Sequence, residues 1–267
     1  MFRYICLFFS LVAIAACAHD PYRATNRIYK KQARELTKIL KKRPAEWGND
    51  SVIQPGFWAG TVNFGLRKPN YVILHHTAQN SCEQTLKTFT LTRTQVSAHY
   101  VICRDGTVHH MLNDYFRAWH AGAGSWGTNT DINSSSIGIE LDNNGFEPFP
   151  EPQINSLLSL LGKLKKDYSI PAANFIGHAD IAPTRKNDPS IFFPWKLLAE
   201  NGFGRWYADT TGLEVPEGFS TVQALRLIGY NTSDSAAALM AFKRHWMQDS
   251  TRTLTDADKK VLMLLSK

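Results

Sequence analysis

The sequence predicts an α/β fold, a mixed central β-sheet flanked by helices, with a small C-terminal three-helix domain behind it. Three observations predict it. The β-rich runs YVILH at 71–75 and SIGIEL at 136–141 alternate with a stretch of helical spacing at 152–167, and strands interleaved with helices are the signature of an α/β layer. An Asp-Gly pair at 105–106 separates two more β-rich runs, a strong hairpin signal. After Trp206 the character changes to short helices. The chain has 267 residues, 43% of them hydrophobic, which suffices for one catalytic-sized domain plus roughly 100 further residues. Wholesale disorder and a small disulfide scaffold are excluded.

The first element is a leader. MFRYICLFFSLVAIAACAHD carries Arg3, then an apolar run from Tyr4 to Ala16, then small residues before Cys17; this is the layout of a secretory signal and too short for a comfortable membrane span. Ile14-Ala15-Ala16-Cys17 resembles the bacterial lipobox, which implies lipidation of Cys17 and a membrane anchor. His19 rather than Asp stands two places after that cysteine, and similarity to enterobacterial lipoproteins then implies the outer membrane, with the protein facing the periplasm. With Cys6 removed and Cys17 lipidated, Cys82 and Cys103 remain. An oxidising compartment allows them to pair if geometry permits, but two separate half-buried thiols are the favoured expectation. Neither lies in a CxxC pair, so no thiolate metal site or redox motif is supported.

The charge is localised. The formal net charge is +7, yet residues 21–43 hold nine Lys or Arg against the single acid Glu35, a local +8 that leaves the remainder near −1. From Ala24 to about Lys42 this stretch has good helix formers with apolar residues at Ile28, Leu36, Ile39 and Leu40 and a stop at Pro44, so a solvated, weakly amphipathic helix is expected. Its basic residues are suited to anionic lipid headgroups or wall polymer. No aromatic interleaving or nucleic-acid module accompanies them, so no nucleic-acid partner is expected. Residues 45–69 are punctuated by Gly48, Pro55, Gly56, Gly60 and Pro69 and lead into the first strand.

HYVICRDGTVHHML at 99–112 reads as two strands around the Arg-Asp-Gly turn, and PQINSLLSLLGKLKKD at 152–167 as a helix whose closing lysines suit its dipole. Three short helices follow from about residue 220, with capping candidates at Ser220 or Thr221, Ser233 or Asp234, and Thr255. The expected division is therefore 1–17 signal with lipobox, 18–69 basic tether and extension, 70–210 catalytic domain, and 211–267 helical domain.

Three passages stand out chemically: YVILHHTAQN at 71–80, SIGIELDNNG at 136–145 and NFIGHADIAPTRKNDPSIFFPW at 174–195. Period-two alternation puts Tyr71, Ile73 and His75 on one face of their strand and Val72, Leu74 and His76 on the other. In the second strand Gly138, Glu140 and Asp142 share a face, and a carboxylate there must be paired, solvated by a cleft or perturbed. His178 and Asp188 flank a loop containing Lys186 at a spacing that fits neither a regular helix nor a strand. Such a loop can bring an imidazole and a carboxylate to one ion.

Together with Ala-Trp-His-Ala-Gly at 118–122, these motifs resemble the zinc-dependent N-acetylmuramoyl-L-alanine amidases of the type 2 amidase family, which includes phage T7 lysozyme and shares its fold with peptidoglycan recognition proteins. The resemblance runs from about residue 70 to 206 and more loosely through the C-terminal helices, and it is nearest to outer-membrane lipoprotein members. It implies one zinc per chain held by His75, His178 and Asp188, with a fourth position for water. It further implies Glu140 as catalytic acid and base, and Lys186 as stabiliser of the oxyanion. His99, Trp119 and His120 fall in motifs lining the family's cleft, where contact with sugar or peptide is implied. His76 reads as structural, and His109, His110 and His245 as surface or satisfied core residues. Asp142 and Asp180 lie close enough in sequence to compete as carboxylate ligands.

The chain departs from close relatives at Asp188-Pro189-Ser190, where they have Asp-Pro-Gly; altered loop geometry is expected rather than lost zinc. Hydrolysis of the bond between N-acetylmuramic acid and L-alanine in peptidoglycan or muropeptides, by a monomer, is the implied function. The alternative is a non-catalytic peptidoglycan-binding lipoprotein on the same fold, which the intact ligand set disfavours. The C-terminal helices resemble a wall-binding module of relatives, with Tyr230, Phe242 and Trp246 as its core. Deleting residues from about 212 onward is then expected to weaken wall binding and spare hydrolysis of small soluble muropeptides.

Overall fold

Four parallel strands organise the protein. In the computed structural model, which describes residues 20–41, 61–66 and 68–267, β1 (Tyr71–His76), β2 (Tyr100–Ile102), β3 (Val108–His110), β4 (Ser136–Leu141) and β5 (Phe175–Gly177) form one sheet in the order β3-β2-β4-β1-β5. β1 runs parallel to both β4 and β5, β2 runs parallel to β4, and β3 closes the edge antiparallel to β2. The mixed sheet and the hairpin at Asp105-Gly106 agree with the sequence reading. Gly106 has φ +88, and a Cβ there would lie 2.7 Å from the Pro152 carbonyl oxygen, so the turn needs glycine for backbone conformation and for space. The leader and its lipobox at Cys17 lie outside the described residues.

Both sheet faces are covered. The helices are α1 (Arg23–Lys41), α2 (Cys82–Thr90), α3 (Ile132–Ser135), α4 (Glu151–Tyr168), α5 (His178–Ile181), α6 (Trp195–Glu200), α7 (Thr221–Ile228), α8 (Ser235–Trp246) and α9 (Asp256–Leu265). Val72 and Leu74 of β1 enter the larger core with Ile137, Ile139 and Leu141 of β4 and with Leu157, Leu160, Leu161 and Leu164 of α4. The i, i+3, i+4, i+7 spacing on α4 places those leucines on one stripe. Ile73 points the other way, into a smaller cluster with Ala121, Ile132, Ile176 and Ile181. This second face carries the chemistry, because His75 follows Ile73 on the same side of the strand.

The last three helices have the expected caps. Ser220 accepts from the Gln223 amide, Asp234 from Ala237, and Thr255 from Asp258, whose own carboxylate returns the bond to the Thr255 amide. Their core contains Leu225, Tyr230, Phe242, Trp246 and Leu262, and it extends to Ala179 of α5. Residues 65–267 form one compact unit and residues 1–64 another. The C-terminal helices thus pack as part of the sheet-bearing unit rather than as a body of their own.

One expectation is corrected. Cys82 and Cys103 are joined in a disulfide, with their Cα atoms 5.3 Å apart, inside the window that a bridge requires. The packing of α2 beside β2 brings the first residue of the helix to the residue just past the strand, and a separation of 21 in sequence carries no signal of that contact.

Candidate metal centre

The site lies at the carboxyl ends of the parallel strands, where open α/β sheets present their crevice. β1 ends in His75 and His76 and pairs with β4 so that His75 is beside Glu140. β5 pairs with the other edge of β1, and the chain turns from it directly into α5, whose first residue is His178. The sequence reading had no strand at 175–177; three residues are too few for alternation to show. Beyond α5 a loop returns to the same place, because the Ala179 amide donates to the Asp188 carbonyl at 2.7 Å. Arg185 secures that loop, donating to the carbonyls of Ala121 and Ala123 at 2.9 and 2.8 Å.

His75, His178 and Asp188 are all buried and converge. The Nδ1 atoms of the two histidines are 2.9 Å apart, and Asp188 Oδ2 lies 3.1 Å from the first and 3.0 Å from the second. The opposite ring nitrogens determine what this triangle can hold. Ser136 donates its hydroxyl to the Ile132 carbonyl at 2.6 Å, so its oxygen accepts from His120 Nε2 at 3.1 Å. His120 Nδ1 is then an acceptor and takes the proton of His75 Nε2, 3.1 Å away. His178 Nε2 donates to the Ala121 carbonyl at 3.1 Å. With the tautomers assigned by this network, both Nδ1 atoms turn lone pairs toward each other and toward a carboxylate. A cation reconciles three such donors at that spacing, and two imidazoles with one carboxylate are a familiar set for zinc with a coordination position left open. Outward N–H bonds to a carbonyl and to an oriented acceptor are also how ligating histidines are held.

The electrostatics agree. Burial, reinforced by the neighbouring His178, pushes His75 down to about 4, so at neutral pH it is the neutral imidazole that binds metal. For Asp188 burial acts upward, but the ring nitrogens of His178 and His75 outweigh it and hold the carboxyl well below the usual range. Glu140, buried with Oε1 3.9 Å from His75 Nδ1, is pushed up to about 8 by burial and then by the Asp188 charge, against the pull of Lys186. Lys186 is half-buried.

The other histidines separate by their contacts. His99 is fully buried, accepts the Gly138 amide at Nδ1 and donates to the Phe116 carbonyl from Nε2, both at 3.0 Å. His120 likewise has both nitrogens engaged internally, and its ring lies across Gly138, where a Cβ would come within 2.3 Å of it. Trp119, 53% exposed, is the member of that trio open to solvent. His76 is on the opposite strand face, buried against Gly145 with Nδ1 lacking a partner.

Neither competing carboxylate faces the triangle. Asp142 pairs with Arg104 at 3.3 Å. Asp180 accepts from the Gly177 amide, from Tyr230 and from His245 at 2.8, 2.7 and 2.7 Å. A second group, Cys82, Cys103 and His109, also gathers ligand-type atoms, but its sulfurs are consumed by the disulfide. Ser190 is buried with its hydroxyl unpaired, and Asp188 joins the cluster despite it. The relay from Ser136 through His120 to His75, and the brace from α8 to Asp180, were not apparent in the sequence, because each links residues whose proximity depends on loop paths.

Fold and site together define a candidate single-metal centre on an α/β sheet. Residues 65–191 match the family model described as N-acetylmuramoyl-L-alanine amidase. Among curated relatives, the N-acetylmuramoyl-L-alanine amidase AmiD of Escherichia coli is 37% identical over 151 residues, 51% of this chain and 54% of that protein. The chain thus spans about half the length of the curated relative it matches. Among solved structures, AmiD in complex with anhydro-N-acetylmuramic acid-L-Ala-D-gamma-Glu-L-Lys superposes with a TM-score of 0.68 at 27% identity, covering 77% of this chain and 91% of that one. AMPDH3 of Pseudomonas aeruginosa, in complex with an anhydromuramic pentapeptide, gives a TM-score of 0.68 at 28% identity, with 79% and 96% covered. The buried His75, His178 and Asp188 cluster matches a zinc-coordinating amidase centre.

Proposed function

We propose that this protein hydrolyses the amide between N-acetylmuramic acid and L-alanine in peptidoglycan or its muropeptides. The observation that carries the reading is the triangle of His75 Nδ1, His178 Nδ1 and Asp188 Oδ2, with tautomers fixed from outside so that three lone-pair donors meet, and with Glu140 on the adjoining strand. His75, His178 and Asp188 hold one zinc, which when bound supplies a Lewis acid and a lowered pKa for water. Glu140 accepts a proton from the attacking water and passes it to the departing alanine nitrogen as the C–N bond breaks. A carboxyl pushed up to about 8 is near the range where one group both accepts and returns a proton at neutral pH. Lys186 places positive charge where the carbonyl oxygen becomes anionic. His120 orients His75, and His99 secures β4 beneath it, while Trp119 at the exposed rim contacts sugar or peptide.

The same reading extends to the cell. The lipobox, the resemblance to outer-membrane lipoproteins and the likeness to AmiD support a monomer anchored through lipidated Cys17 and facing the periplasm, with the catalytic region at about 70–210 and the helical region at 211–267.

The test is direct. The purified full chain is assayed for zinc and for free stem peptide released from muropeptides. Glu140→Gln is expected to keep its zinc while turnover falls by about 10²–10⁴, whereas His178→Ala loses both. Zinc-free protein that still binds sacculi would favour the non-catalytic reading, and turnover surviving Glu140→Gln would remove that residue from its role.

A further inference from the structure

Helix α1 was expected to be a weakly amphipathic, solvated tether. At 100° per residue its 19 positions divide sharply instead. Its seven Lys and Arg fall within a sector of about 100°, while Ile28, Leu36, Ile39 and Leu40 lie within about 120° on the opposite side. The lone acid, Glu35, sits at the boundary and pairs with Lys38 at 2.8 Å. No residue of the helix is buried, and the four aliphatic side chains named above are 44–71% exposed.

We propose that α1 is a membrane-surface helix: it lies flat on an anionic phospholipid leaflet, with its aliphatic face in the acyl boundary and its lysines and arginines among the headgroup phosphates. Two features have to be satisfied together. A soluble polyanion such as wall polymer would engage the basic side and leave four large aliphatic groups in water. A protein groove would take the aliphatic side and leave the cationic sector without counter-charge. A lipid interface supplies both, in the geometry that such helices use. Spanning is excluded by the cations, and among the described residues no helix is long and apolar enough to cross a membrane. At 1.5 Å per residue the helix is about 28 Å long, so several headgroups are contacted at once. The inference does not rest on the hydrolase reading and would stand if that reading fell.

The test uses the full chain with Cys6→Ser and Cys17→Ser, which prevents acylation and leaves only the disulfide cysteines. An environment-sensitive fluorophore is attached at Leu36→Cys or, on the basic face, at Arg34→Cys. Vesicles of phosphatidylcholine with phosphatidylglycerol are expected to shift the Leu36→Cys emission to the blue and to leave Arg34→Cys little changed, with partitioning at least about tenfold weaker on phosphatidylcholine alone. The double variant Leu36→Asp, Ile39→Asp, checked for helix content by circular dichroism, is expected to lose that shift. Equal responses at both labelled positions, no response on anionic vesicles, or unchanged partitioning of the double variant would overturn the proposal. So would sedimentation with purified wall polymer that outcompetes the vesicles.

Discussion

At residue scale the site depends on buried side chains behind the metal-binding triangle. Gly138 sits on β4 beneath the His120 ring, and a methyl group there would come within 2.3 Å of His120 Cγ. Gly138→Ala therefore has to displace either the ring or the strand, and overpacking of this kind costs about 1–3 kcal/mol. Moving His120 also releases the proton relay that orients His75, and loss of an outer hydrogen bond of this type typically lowers metal affinity about 10–100-fold. The expected outcome is a lower melting temperature together with faster zinc loss to a chelator; unchanged zinc retention would show that His120 does not orient the ligand. The glycine itself was visible in the sequence as a small residue on the Glu140 face, but the ring that requires it lies 18 positions upstream in a loop.

At the scale of elements, two tethers hold the site's supports. The disulfide ties the start of α2 to the end of β2 across a separation of 21 residues, and closing a loop of that size stabilises a fold by about 3 kcal/mol in the chain-entropy model. Adding a thiol reductant is expected to lower the urea midpoint by a corresponding amount, and an unmoved midpoint would show the bridge is idle. The second tether is Asp180, which joins α5 to the C-terminal helices. Tyr230 donates to it at 2.7 Å, Trp246 donates in turn to the Tyr230 hydroxyl at 3.3 Å, and His245 stacks on Trp195 while donating to the same carboxylate. Tyr230→Phe keeps the ring and removes one donor from a buried carboxylate, at a cost of about 1–3 kcal/mol. Equilibrium unfolding at neutral pH measures this; a cost near zero would show that Asp180 does not need the tyrosine. Sequence marked Tyr230 and Trp246 as core and Asp180 as a rival ligand, and it could not connect them.

For the whole molecule, this brace revises what truncation should do. Removing residues 211–267 deletes two of the three donors to Asp180 and uncovers Ala179 and Trp206, which pack on the helical core. The expected outcome is loss of zinc and of hydrolysis of soluble muropeptides, not of wall binding alone; a truncated chain that retains full zinc and turnover would restore the picture of an independent module. What the sequence by itself determined is the run of elements around the site: strand periodicity set β1 and β4 to within a residue, helical spacing set α4, capping residues set α7 to α9, and the motifs, through the resemblance they carry, singled out the His75, His178 and Asp188 cluster. These are local or near-local properties, written in alternation, spacing and residue type. Tertiary structure alone decided that Cys82 meets Cys103, that His120 and Ser136 set the tautomer of His75, and that α8 braces the helix carrying His178. Each of those depends on two distant segments arriving side by side, and that is settled by the packing of the whole core rather than by any window of sequence.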